Sequence, residues 1–194
     1  MRRGSRRGYA RKEEKGGWPS TITEDLAAFL SGADSFYLAT ANAAGQPYIQ
    51  HRGGPPGFLR VLDDKTLGFA DFRGNRQYIT TGNLSDNPQA FIFVMDYLNR
   101  RRVKIWGAAR VVEADAELIA RLFPIGYDAR PEQAILFTIA AWDVNCPQHI
   151  PRKVPAAAVA EALARYEARI TELEAEIARL KRAPEAVKGL GPLI

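Results

Sequence analysis

Residues 101–112 alternate. Val103, Ile105, Ala109 and Val111 fall on one face of an extended chain, and Arg102, Lys104, Trp106 and Arg110 on the other. A period of two marks a strand with one buried face, and shorter segments repeat the strand signature along much of the chain. Residues 35–40 and 47–52 read as a hairpin closed by Asn42-Ala43-Ala44-Gly45-Gln46. Residues 58–62 and 66–71 follow as strands joined by Asp63-Asp64-Lys65, after the irregular Gly53-Gly54-Pro55-Pro56-Gly57. The nearly continuous apolar run Ala90-Phe91-Ile92-Phe93-Val94-Met95 predicts a strand over 89–97 covered on both faces. A last strand is expected over 134–144. Helices are few: one near 24–31, capped by Ser20 or by Thr21 with Glu24 reaching back and stopped at Gly32; a short one over 76–86; and one over 114–122. Six or seven short antiparallel strands with flanking helices imply a mainly β chain, closed or split as a barrel so that few edges stay exposed.

Composition narrows the class without naming a function. Apolar residues make up 46% and charged residues 25%, an ordinary balance for a water-soluble domain, and the longest apolar runs are far too short to span a bilayer. The Arg-rich start runs into Glu13, Glu14 and Lys15 and not into an apolar stretch, so no secretory signal is read there. A single Cys146 excludes an internal disulfide and points to a reducing, cytoplasmic setting. With only His51 and His149 beside it, a standard zinc site is not expected. Residues 1–16 carry seven basic groups against Glu13 and Glu14, so this tail alone accounts for the net charge of +5. It reads as a flexible solvated leader; contact with a nucleic acid is the less favoured alternative.

The C-terminal part follows another rule. Val159, Leu163, Tyr166, Ile170, Leu173, Ile177 and Leu180 are spaced by fours and threes, a heptad seam. Pro155 suits the first helical turn and Pro184 ends the run. So narrow a stripe fits a partner helix, as in a coiled-coil arm between subunits; packing along its own barrel is the alternative.

Two polar clusters carry the chemistry. Gly74-Asn75-Arg76 follows the strand at 66–71, where a glycine turn, backbone N–H groups and a fixed cation suit a phosphate, with Thr80 or Thr81 one helical turn on. Alone, the triplet reads better as a plain turn. Gln50-His51-Arg52-Gly53-Gly54 adds donors beside backbone that two glycines leave bare, where a planar ring can lie. Arg60 and Arg102 are further strand cations, and Trp106 is either an aromatic wall or interface packing. Downstream, Asn145-Cys146-Pro147-Gln148-His149 is either a rigid loop or a segment that brings Gln148 and His149 over a ligand, His149 then serving as a proton donor. Cys146 fits a buried thiol better than a redox group.

Taken in order, Tyr37-Leu38-Ala39-Thr40, the run from Gly53 through Arg60 to Val61, Phe69-Ala70-Asp71 with Gly74-Asn75-Arg76-Gln77, Asn83 with Asn87-Pro88, Ile105-Trp106-Gly107 and the segment from Asn145 to Ile150 resemble the pyridoxamine 5′-phosphate oxidase-like flavin-nucleotide-binding proteins. The resemblance covers roughly residues 20–153. It implies an FMN-binding split barrel, homodimeric, with FMN held at the subunit interface. Asp71, Asn75, Arg76 and Gln77 then match the segment meeting the ribityl chain and phosphate. Arg60 matches a basic position reaching the phosphate, Arg102 a polar position approaching from the partner, and residues 50–54 the stretch beside the ring. Gln77 stands where the oxidase proper has a second basic residue, Gly53–Gly57 replaces a regular strand, and the oxidase's substrate-binding C-terminus is not recognisable. The implied organisation is a basic tail (1–18), a split-barrel domain (19–153), a coiled-coil-like helix (154–183) and a short tail (184–194). The implied function is FMN binding, as an FMN-dependent oxidoreductase acting on a small molecule. A flavin carrier or sensor, or a haem- or deazaflavin-binding barrel, is the alternative.

Overall fold

Seven strands pair antiparallel in one sheet in the computed structural model of the chain, which describes residues 9, 10, 13, 14, 16–144 and 147–182. Helix α1 (Glu24–Ser31) leads into β1 (Ser35–Ala41), β2 (Pro47–Gly53), β3 (Arg60–Val61) and β4 (Thr66–Phe72). Then come α2 (Ile79–Asp86), β5 (Gln89–Asp96), β6 (Arg101–Val112), α3 (Ala116–Leu122), β7 (Pro131–Val144) and α4 (Ala156–Arg182). The sheet order is β2-β1-β5-β6-β7-β4-β3. Two compact units result, Met1–Pro151 and Arg152–Ile194.

Although β2 and β4 stand near opposite ends of that order, the Arg52 guanidinium on β2 hydrogen-bonds the Asp71 carboxylate on β4. The sheet therefore curls until its ends meet, which gives the expected split barrel. Phe36, Leu38, Phe58, Leu67, Phe69, Ile92, Ile105 and Phe137 fill its interior and are fully buried. Between β6 and β7 the register slips at Trp106/Gly107. There a Cβ on Gly107 would sit 2.1 Å from the Thr138 carbonyl oxygen and 2.7 Å from the Phe137 ring, so only glycine fits.

The alternation of residues 101–112 is observed as read, with Val103, Ile105, Gly107 and Ala109 buried. Other elements depart from expectation for local reasons. Thr23, not Ser20 or Thr21, caps α1, its Oγ1 accepting from the Leu26 N–H at 3.3 Å, and Gly32 ends that helix in a right-handed conformation. The strand expected over 58–62 shrinks to Arg60–Val61, because Phe58 and Leu59 turn into the core. Helix α2 begins at Ile79, since Arg76 and Tyr78 both take left-handed φ values, 59° and 54°. Helix α3 starts two residues late, with Asp115 accepting from the Leu118 N–H, and β7 starts three residues early. Only one face of β5 is buried (Ala90, Ile92, Val94); Phe91, Phe93 and Met95 are half-buried, so the apolar run is not covered on both faces within one chain.

Helix α4 runs for 27 residues without a buried one. The basic groups of residues 1–16, Asn145, Cys146 and Pro184 lie outside the described residues.

Candidate functional site

The β4–α2 connection and the end of β2 converge on a recess of about 40 Å³. Residues 50 and 52 share the core-facing side of β2, since Gln50 pairs with Leu38 and Arg52 with Phe36. Where the sheet curls, that side opens onto β4 and α2. Gln50, Arg52, Asp71, Asn75, Arg76 and Gln77 all line the recess, together with Tyr78, Thr80, Thr81 and Glu132. Six residues drawn from three separate sequence segments are thus brought together.

The floor is a hydrogen-bonded network. One Asp71 oxygen accepts from Arg52, and the other accepts from Gln133 Nε2 at 2.8 Å. Gln133 Nε2 also lies 3.0 Å from Thr81 Oγ1, and Thr80 Oγ1 donates to Gln50 Oε1 at 2.9 Å. Arg52 and Asp71 are nearly buried and compensate each other's charge, and one polar atom is left over: Arg52 Nε is buried without a hydrogen-bond partner among the described residues.

The rim is the turn at 74–78. Gly74 does not bend it: a Cβ there would meet only the Phe72 carbonyl, at 4.0 Å. The bend comes from Arg76 and Tyr78 in left-handed backbone, a conformation that non-glycine residues rarely adopt and that is often found at binding sites. Turns of this kind direct successive N–H groups into one hollow. Arg76 Nε donates to Tyr78 Oη at 3.1 Å, and Tyr78 Oη donates to Glu132 at 3.1 Å. The Tyr78 hydroxyl, with the Glu132 charge behind it, raises the Arg76 pKa above its ordinary value, so the guanidinium stays charged. Beyond the rim a broader cleft of about 710 Å³ carries Arg73, Arg76 and Arg130 against Glu113 and Glu132.

Tyr78, Glu132 and Gln133 were not legible in the sequence. Glu132 and Gln133 belong to the site through the pairing of β4 with β7, which sets Asp71 opposite Gln133, and Tyr78 through its left-handed backbone and its hydrogen bonds to Arg76 and Glu132; no motif marks them.

The other expected residues stand elsewhere in the chain. His51 faces away from the recess and packs edge-on against Tyr37, ring centres 5.6 Å apart. A Cβ on Gly53 would touch His51 at 3.2 Å, and one on Gly54 would strike the Phe58 ring at 2.7 Å. The bare backbone of Gly54 is therefore filled by the chain's own Phe58. Trp106 lies on the outward face of the sheet against Phe91, ring centres 5.2 Å apart, with Lys104 Nζ 5.2 Å from its ring. Arg60 and Arg102 lie outside the recess, and in each the buried Nε has no hydrogen-bond partner among the described residues. Gln148 and His149 form an exposed turn before the buried Ile150, His149 with a φ of 61°, and do not line the recess.

Residues 22–146 match the family described as pyridoxamine 5′-phosphate oxidase. Among solved structures, HupZ of Group A Streptococcus is 19% identical with a TM-score of 0.50, covering 69% of this chain and 99% of that one. A pyridoxamine 5′-phosphate oxidase-like protein of Lactobacillus delbrueckii is 20% identical with a TM-score of 0.49, covering 64% of this chain and 95% of that one. HutZ, a haem storage protein of Vibrio cholerae, is 16% identical with a TM-score of 0.42, covering 64% and 93%. At such identities a structural likeness speaks to the fold alone. No curated protein matches the chain. The family match extends from α1 through the whole sheet and takes in every residue of the recess, and on that ground the chain belongs to the pyridoxamine 5′-phosphate oxidase family.

Proposed function

We propose that the protein binds FMN between two copies of its barrel and acts as an FMN-dependent oxidoreductase. The observation that carries this reading is the turn at 74–78: a phosphate-sized hollow whose backbone is held in left-handed conformation and whose rim presents a charged Arg76. Among the described residues only Nε of Arg76 is committed to a neighbour, which leaves the terminal nitrogens of its fork to a phosphate. Asn75 and Gln77 supply amide donors beside it. Arg52 and Asp71 fix the adjoining strand ends, which supports the reading that Asp71 meets a polyol chain.

At about 40 Å³ the recess takes a phosphate and not a tricyclic ring, since whole ligands of that size fill roughly 300–1,000 Å³. The ring therefore needs a second wall. An outward apolar sheet face supports one: Ile49, Tyr37, Phe91, Phe93 and Trp106 lie on adjoining strands, with Ile49 and Trp106 61% and 39% exposed. Such a face suits a second copy. When bound, the flavin supplies the hydride or electron transfer. The recess itself contributes binding groups, and among the described residues no His or Cys lines it. That observation favours, as a second reading, a flavin carrier or sensor without turnover.

Purified protein is expected to be yellow, with the two blue-region bands of oxidised flavin, and mass spectrometry of the released ligand should give FMN. An intense Soret band in its place would mean haem and overturn the assignment; a deazaflavin mass would do the same. Arg76→Ala should weaken FMN binding by roughly tenfold or more, the loss of a charge-assisted contact. Reduction by NADH or NADPH and rapid reoxidation distinguish the oxidoreductase from the carrier.

A further inference from the structure

Helix α4 carries its apolar seam entirely in the open: Val159, Leu163, Tyr166, Ile170, Leu173, Ile177 and Leu180 are all exposed, the least of them 44%. A seam of this spacing defines a heptad register. Leu163, Ile170 and Ile177 occupy the a positions, and Val159, Tyr166, Leu173 and Leu180 the d positions. We propose that α4 pairs with α4 of a second copy as a parallel, in-register, two-stranded coiled coil. The site lies outside the matched family segment, rests on the C-terminal unit alone, and stands whether or not the barrel binds a flavin.

Two independent features select this arrangement. Isoleucine at two a positions with leucine at two d positions favours two parallel strands. The flanking charges agree. In the parallel register each g position meets the e position five residues on in the other helix, so Arg169 faces Glu174 of the second copy and Glu176 faces its Lys181. Both contacts are attractive, and two-fold symmetry doubles them. An antiparallel alignment on the same seam sets residue 163 opposite residue 180. It brings Glu167 against Glu174 twice, which cancels its two Arg169–Glu176 attractions. Within one helix Arg169 bonds Glu172 at 2.9 Å and Glu176 bonds Arg179, pairs whose exposure leaves them free to be shared with a second chain.

The test uses the full chain with Cys146→Ser and Leu180→Cys in a glutathione redox buffer. The parallel register places the two substituted thiols face to face, so a disulfide-linked dimer is expected on a non-reducing gel. Adding Arg169→Glu should lower the equilibrium yield constant for that dimer roughly tenfold, by turning two attractions into repulsions. Adding Glu174→Arg as well should restore it. Residues 169 and 174 of one helix flank opposite sides of the seam and cannot meet, so restoration reads contact between chains. Restoration by Glu176→Arg instead, or a mixed disulfide between Leu163→Cys and Leu180→Cys chains, would mean antiparallel pairing and overturn the proposal. No cross-link in the Leu180→Cys protein would overturn the parallel register, and none between mixed Leu163→Cys and Leu180→Cys chains as well would overturn pairing of the helices altogether.

Discussion

Arg52 and Asp71 do two jobs with one contact: they hold the ends of the curled sheet together and form the floor of the recess. Arg52→Ala strands a nearly buried carboxylate, and should cost about 3 kcal/mol in a urea titration. Replacing both residues together, Arg52→Met with Asp71→Leu, should cost much less, because no unpaired charge remains. Asp63 offers a pH readout. The Lys65 N–H, at 2.8 Å, and then the Thr66 hydroxyl hold its carboxyl below the ordinary 3.8. A depressed folded pKa adds stability above the unfolded value and loses it as pH falls through the folded one. Wild type should therefore be more stable than Asp63→Asn at neutral pH, and the gap should close below about pH 3.8; thermal melts across that range measure it.

Among elements, the β4–α2 turn and the β6–β7 bulge were the hardest to read. A helix over 76–86 looked reasonable because propensity says nothing about left-handed backbone at Arg76 and Tyr78, whose side chains are linked to each other and to Glu132 on β7. Gly107 appeared only as part of a motif. The structure gives its reason, a carbonyl oxygen 2.1 Å from where a Cβ would stand. Gly107→Ala should cost about 1–3 kcal/mol or more, since backbone must move to admit the methyl group. A shifted denaturation midpoint at constant slope would register it, and an unchanged midpoint would show that the bulge yields. By contrast β6 was plain in the sequence, because alternation over twelve residues has one geometric solution.

For the molecule as a whole, the roles proposed for the barrel and for α4 are separable. If the barrel holds a flavin as proposed, removing residues 155–194 should leave its absorbance in place, because every described residue lining the recess precedes Pro151. It should also raise the protein concentration at which dimers give way to monomers in light scattering. Loss of the flavin on truncation would tie the helix to the site. What could be read from residue order alone was whatever depends on local periodicity: strand alternation, the hairpins, the heptad seam, and the run of short motifs that identified the family. Nine residues of the recess were legible for the same reason, Gly74, Thr80 and Thr81 among them, since each sits at a strand end, a turn or the helix turn after it. Packing settled the rest. It turned His51 outward beside Tyr37, gave Gly54's open side to Phe58, kept Trp106 and His149 away from the recess, and brought in Tyr78, Glu132 and Gln133. Which side of a strand meets a distant strand depends on how the sheet closes, and closure is a property of all seven strands at once.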